Sequence, residues 1–216
     1  MNKKFLLLAE LFLFTVSDIF SAVLKKEKGQ IHVNWQYTDD YFSASNEIEF
    51  NGKADDLFAI GKKVVFNGLV KNSLYAMGEK VQINGMVNNG LFGSGRLITI
   101  TGKINDTVLI LGQDVVIEKD AVINGTVFLL CQSLEIKGTI NSDLYMAGAS
   151  LDIDGKINGN VKAYIGEINL YDNALIAGNL FYMTQEERNI DKSKVKGSIE
   201  FKKEDMKGMK KDKIKA

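Results

Sequence analysis

The stretch Asp39–Gly52, DDYFSASNEIEFNG, is followed two residues later by Asp55–Gly68, DDLFAIGKKVVFNG. Both open Asp-Asp, both carry Phe at the fourth place, and both close Phe-Asn-Gly. Tyr41/Leu57 and Ile48/Val64 keep their apolar character at matching places. The phrase does not stop at two copies. Aligning the chain on Leu57 gives the column Tyr41, Leu57, Leu74, Leu91, Val108, Val127, Leu144, Val161, Leu180, at intervals of 16, 17, 17, 17, 19, 17, 17 and 19 residues. Further columns run Val64, Val81, Ile98, Val115, Leu134, Leu151, Ile168, then Phe66, Ile83, Ile100, Ile117, Ile136, Ile153, Leu170, and Val70, Val87, Ile104, Ile123, Ile140, Ile157, Ile176. Every member of these last three is aliphatic or aromatic, so the chain is built on a repeat of about 17 residues.

The two longer intervals share one cause. Most repeats pass their corner as apolar-x-Gly-x-apolar, as in INGMV (83–87), whereas IEKDAVI (117–123) and LYDNALI (170–176) carry two more residues at that place. Later columns stay in register, as stacked coils require when a corner bulges outward. Within each repeat the apolar residues alternate two apart before a turn at Gly68, Gly85, Gly102, Gly138 or Gly155, in segments of four to six residues. Alternation with Val and Ile means strand. Helix-paired repeats need more than about thirty residues, and no 3.6-residue period fits between Tyr41 and Leu180. The expected fold is all-β: a single-stranded parallel β-helix of about eight to nine rungs over residues 41–182. Rungs about 4.8 Å apart make the seven intervals from Leu57 to Leu180 a rod of about 34 Å. Each side chain buried between its counterparts above and below contributes roughly 1.5–3 kcal/mol, gross.

Composition agrees. The 216 residues include 45% hydrophobic and 25% charged residues, ordinary for a globular chain, with 20 Gly and no Pro. Gly without Pro suits many tight turns in a backbone whose every N–H serves a ladder. Lys plus Arg and Asp plus Glu both number 27, so net charge is zero and offers no general attraction to nucleic acid. A single cysteine, Cys131, excludes an intramolecular disulfide and a cysteine-based zinc cage.

The flanks read separately. Residues 1–22 have Lys3 and Lys4, an apolar run from Phe5 to Val16, then Ser17, Ser21 and Ala22, the order of a secretory signal peptide. Glu10 interrupts the run and Phe20 is bulky for cleavage after Ala22, while Thr15-Val16-Ser17 offers a cleaner site; an uncleaved anchor or a membrane-lying helix is the alternative. The run is shorter than the roughly 20 apolar residues of a spanning helix. Residues 23–40 and 183–201 flank the repeat and are places for caps, and 202–216 form a basic tail with seven Lys against three acids. Such a tail is ordinarily a solvated end; its functional reading is attraction to anionic lipid or wall polymer.

Two further columns bear on surfaces. Asn88, Asn105, Asn124, Asn141 and Asn158 align, either as a hydrogen-bonded ladder or, more simply, as residues that tolerate a corner. Phe58, Tyr75, Phe92, Leu109, Phe128, Tyr145, Lys162 and Phe181 each follow an inward residue and so face outward. The aromatic members Phe58, Tyr75, Phe92, Phe128 and Tyr145 make a candidate contact surface, with strand propensity as the plainer explanation.

The phrases VQINGMV (81–87), LEIKGTINSDLYMAG (134–148), LDIDGKINGNV (151–161) and ALIAGNLFY (174–182) resemble the bactofilin, or polymer-forming cytoskeletal, family. The resemblance covers roughly residues 41–182. It implies a right-handed β-helix that assembles end to end, without nucleotide or other cofactor, into non-polar filaments, often at membranes. Typical members are cytoplasmic with Pro-containing tails. A signal-peptide-like start without Pro looks more like exported, envelope-associated relatives, which implies the periplasm or cell envelope, with a cytoplasmic, membrane-associated location as the alternative.

Chemistry is not expected. Left-handed acyltransferase helices repeat every six residues around a catalytic His, whereas the lone His32 lies outside the array in QIHVNW (30–35). Polysaccharide-cleaving helices gather Asp, Lys and Arg under long corner loops, and here Arg is limited to Arg96 and Arg188. The pairs Asp39-Asp40 and Asp55-Asp56 could together hold a divalent cation weakly, but repetition accounts for them. Cys131 stands near the place of Gly61, Gly78, Gly95, Gly112 and Gly148 and reads as a small buried residue, not a nucleophile. Two functional readings remain. An open β-helix end presents unpaired backbone groups, and pairing of ends makes filaments of a homo-polymer, with Tyr41, Phe42, Leu180 and Phe181 as the candidate assembly interface. Alternatively the flanks cap both ends, and the rod is a binding module for cell-wall polymer, lipid or a partner protein. Nucleic acid is not an expected partner.

Overall fold

The computed structural model describes residues 27–34, 36 and 39–203. They form a parallel β-solenoid of about ten turns. Ten-residue strands such as Leu57–Phe66, Leu74–Ile83, Leu91–Ile100, Val108–Ile117 and Val127–Ile136 lie side by side in one large sheet. Two-residue strands, from Lys53–Ala54 to Leu175–Ile176, make a second sheet of eight. From Tyr41 onward pairing is in register, with Leu57 beside Leu74, Leu74 beside Leu91 and Leu91 beside Val108, and a register shift occurs between Glu27 and Gln30 of the first strand.

Each turn has three sides. In Leu57–Phe66 the buried residues are Leu57, Ala59, Val64 and Phe66. Ala59 and Val64 are five apart, an odd step, so the inward phase changes between them. The chain bends there, at Gly61 and Lys62. From Leu144 onward the bend divides the long strand in two, Leu144–Ala147 and Ser150–Ile153. The first side therefore carries residues like 57–60, the second 63–66 and the third 69–70. Inside, Leu57, Leu74, Leu91, Val108 and Val127 are fully buried in one column, as are Val70, Val87, Ile104, Ile123 and Ile140 in another. Backbone hydrogen bonds close the corners between turns: Asn84 and Gly85 both donate to Phe66 O, at 2.7 and 3.0 Å.

The longer repeats behave as their spacing implies. Ala121 N donates to Glu118 O (2.9 Å) and Ala174 N to Tyr171 O (3.0 Å), two β-turns at the same corner. Register is kept across the first of them, since Ile123 pairs both Ile104 and Ile140.

The turn count exceeds the eight to nine read from the repeat because both flanks continue the coil. Glu27–Val33 pairs in parallel with Ser45–Phe50, and Ile199–Lys203 with Leu180–Thr184. Their sequences depart from the repeat, which is why the columns do not reach them. Residues 1–22, read as a signal peptide, and most of the basic tail lie outside the described residues. Among the described residues no helix is long and apolar enough to cross a membrane.

Candidate assembly surfaces

The first side of the rod is apolar on both faces. Its inward residues are followed by Phe42, Phe58, Tyr75, Phe92, Leu109, Phe128, Tyr145 and Phe181, and the in-register pairing stacks these outside the sheet. Phe42 lies on Phe58 (centroids 4.4 Å), Phe58 on Tyr75 (4.3 Å) and Tyr75 on Phe92 (4.9 Å), with ring planes within 7°. Phe128 stacks on Tyr145 at 5.1 Å, and Leu109 separates the two stacks. Parallel ring planes at this spacing follow from the rung repeat itself. Because each ring covers its neighbour's face, the stripe shows ring edges to solvent. Phe42 is 58% exposed and Leu109 and Phe128 41% each.

Near the C-terminal end Lys162 interrupts the stripe, and its ammonium sits 5.6 Å from the Phe181 ring and 5.7 Å from the Tyr164 ring. A second outward column went unnoticed in the repeat: Ala44, Ile60, Met77, Ser94, Leu111, Leu130, Ala147, Tyr164 and Met183, two places beyond the first. Its signal was available in runs such as LFAI (57–60), VLIL (108–111) and VFLL (127–130), apolar at both parities. Such runs mark strands covered on both faces. At its outward places the second side presents Glu49, Gln82, Thr99, Glu135, Asp152 and Asn169 with Val65 and Val116, and the third presents Lys53, Lys103, Thr139 and Lys156 with Leu69, Met86, Val122 and Leu175.

The candidate interface residues are distributed differently. Tyr41 is half-buried against the core, 5.8 Å from the Phe50 ring. Leu180 is fully buried and Phe181 half-buried beneath the strand Ile199–Lys203. In that last strand Ile199 and Phe201 are partly buried against the core, and Phe201 lies 5.4 Å from the Tyr182 ring. Tyr182 is fully buried, and Arg188 N donates to its hydroxyl oxygen, which holds the loop after the strand Leu180–Thr184 against the rod.

Polar columns run along the corners. Asn105 Nδ2 donates to Asn88 Oδ1 (3.4 Å), Asn124 to Asn105 (3.0 Å), Asn141 to Asn124 (2.7 Å) and Asn158 to Asn141 (2.7 Å). The ladder reading of these five residues is the one realised. A second ladder joins Asn34, Asn51, Asn67, Asn84 and Thr101 at 2.7–3.0 Å. At the acidic corner Asp55 pairs with Lys71, and Asp56 accepts from Ser73 N at 2.8 Å. Loss of solvent and then the charge of Asp56 hold the Asp40 carboxyl above its usual range. No group of three or more metal-ligating side chains gathers among the described residues. His32 Nδ1 lies 2.9 Å from Glu49 on the surface. Cys131 is buried, and burial first, then the charge of Asp114, pushes its thiol up to about 12.

Comparison with family models matches residues 76–181 to the bactofilin family, described as polymer-forming cytoskeletal. The chain carries a bactofilin domain. The bactofilin match spans the repeats from Ala76 to Phe181, and the family is a structural one whose members self-polymerise. No curated protein and no solved structure matches the chain.

Proposed function

We propose that this chain is a scaffold that assembles end to end, without nucleotide, in the cell envelope. The observation that carries the reading is the C-terminal end of the rod. Among the described residues, the strand Ile199–Lys203 pairs on one side only and leaves Ile199 and Phe201 half-covered. An open strand edge beside an apolar cross-section is a template for another copy. The polymer-forming description of the family supports self-association. The envelope location rests on the signal-peptide-like order of residues 1–22 and the lysine-rich segment 202–216.

Electron microscopy of the purified protein in nucleotide-free buffer tests assembly. Filaments are expected, and Phe201→Arg should shorten or abolish them while the β-rich circular dichroism spectrum persists. A monomer or dimer whose size does not change with concentration overturns the reading and favours a capped binding module. Fractionation of expressing cells, with sequencing of the mature N-terminus, tests location; a soluble cytoplasmic protein beginning at Met1 overturns it.

A further inference from the structure

We infer that the apolar first side of the rod is an interface with a second copy of this chain, packed alongside it with both rods pointing the same way. Three observations carry this. Both outward columns from Phe42 to Met183 are apolar apart from Ser94 and Lys162, whereas the second side is mainly polar outside, with Val65 and Val116 as exceptions, and the third mixes Lys53, Lys103, Thr139 and Lys156 with Leu69, Met86, Val122 and Leu175. A side chain row repeating at every rung is met most completely by a surface of the same period, which a second copy of this repeat provides. The size is adequate: eight rung spacings by a four-residue side give a footprint of about 500 Å² per copy, near 1,000 Å² for the pair, the lower bound of a specific interface.

Charge decides the direction. Along the first turns, one border of this side carries Asp39, Asp40, Asp55 and Asp56 against Lys71. The opposite border carries Lys62, Lys63, Lys80 and Arg96 against Glu47 and Glu79. A two-fold axis along the rod exchanges the borders and keeps the height, so the acidic border of one copy meets the basic border of the other. An axis across the rod turns the partner end for end and loses that match. In the favoured arrangement the Phe58 column of one copy lies over the Ile60 column of the other at equal height. Lys162 then meets Tyr164 of the second copy, a ring it already approaches within its own chain.

This pairing is independent of end-to-end growth, and the two separate experimentally. Wild-type filaments should be two rods wide. Leu109→Lys with Phe128→Lys, both at exposed places, should leave filaments one rod wide and weaken side-by-side pairing at least about tenfold, since two charges enter an apolar contact. If end-to-end growth is absent, short side-by-side dimers should still form and the double variant should be monomeric. Single-rod wild-type filaments, or an unchanged width in a variant with native circular dichroism, overturn the proposal. Direction is read by oxidative cross-linking in a Cys131→Ala background. Phe58→Cys mixed with Ile60→Cys should cross-link, whereas cross-linking of Phe58→Cys with Lys162→Cys would show opposed rods and overturn the stated arrangement. Flotation with phosphatidylglycerol vesicles covers the remaining occupant. Binding by unpaired wild-type rods that the double variant loses would assign this side to lipid and overturn the proposal.

Discussion

At the bend, one glycine column shows how closely the turns are stacked. A Cβ on Gly78 would stand 2.3 Å from Gly61 O, a separation that atoms do not adopt, whereas on Gly112 it would stand 3.1 Å from Gly95 O. The bend thus opens toward the middle of the rod, and one turn later Cys131 occupies the place with a full side chain. Gly78→Ala should therefore cost roughly 3 kcal/mol or more, and Gly112→Ala about 1 kcal/mol. Urea denaturation midpoints compare them, and equal losses would contradict the opening. The environment of Cys131 was only half legible in the sequence. Its alignment with glycines marked it as small and buried, but the nearby Asp114 charge that helps raise its thiol belongs to the preceding turn.

At the scale of strands and ladders, the sequence was most readable where one large apolar residue recurs. The columns of Leu57, Val64, Phe66 and Val70 needed no coordinates. A fifth inward column did: Ser43, Ala59, Ala76 and Gly93 continue as Ile110, Leu129, Met146, Ala163 and Tyr182. Its first members are too small to announce burial. The space is filled by others: Phe50 and Phe66 share turns with Ser43 and Ala59, and Ile110 and Ile98 close over Gly93. The bend was hidden for a related reason, because period-two reasoning assumes a strand that never changes phase. The aromatic stripe was legible as outward, but its second column was not, since apolar residues at both parities look like core. The asparagine ladder allows a graded test. Asn124→Ala removes one bond given and one received, while Asn158→Ala removes the bond given to Asn141. We expect about 1–2 kcal/mol for Asn124→Ala and roughly half for Asn158→Ala, by thermal denaturation. Equal losses would indicate that the ladder does not act bond by bond.

Over the whole molecule, each turn touches only its neighbours, so stability is set by nearest-neighbour interfaces and is lowest at the ends. Glu27–Val33 and Ile199–Lys203 each pair with one strand, whereas Leu74–Ile83 through Val127–Ile136 are covered on both sides. Hydrogen exchange of unassembled protein should release the two end strands first and the central turns last. On assembly the end strands should gain protection with rising concentration, while the centre changes little. Uniform protection at every concentration would contradict both the open-ended rod and its growth from those ends. The two β-turns at Glu118–Ala121 and Tyr171–Ala174 give this rod one more property. They occur on the corner opposite the apolar side, the first at its midpoint, in the same turn as Leu109, and the second three rungs, about 14 Å, beyond it. Small tags inserted at their tips would project clear of either contact. Their off-centre position would make each subunit an arrow in a micrograph, so that the polarity of a polymer could be read directly.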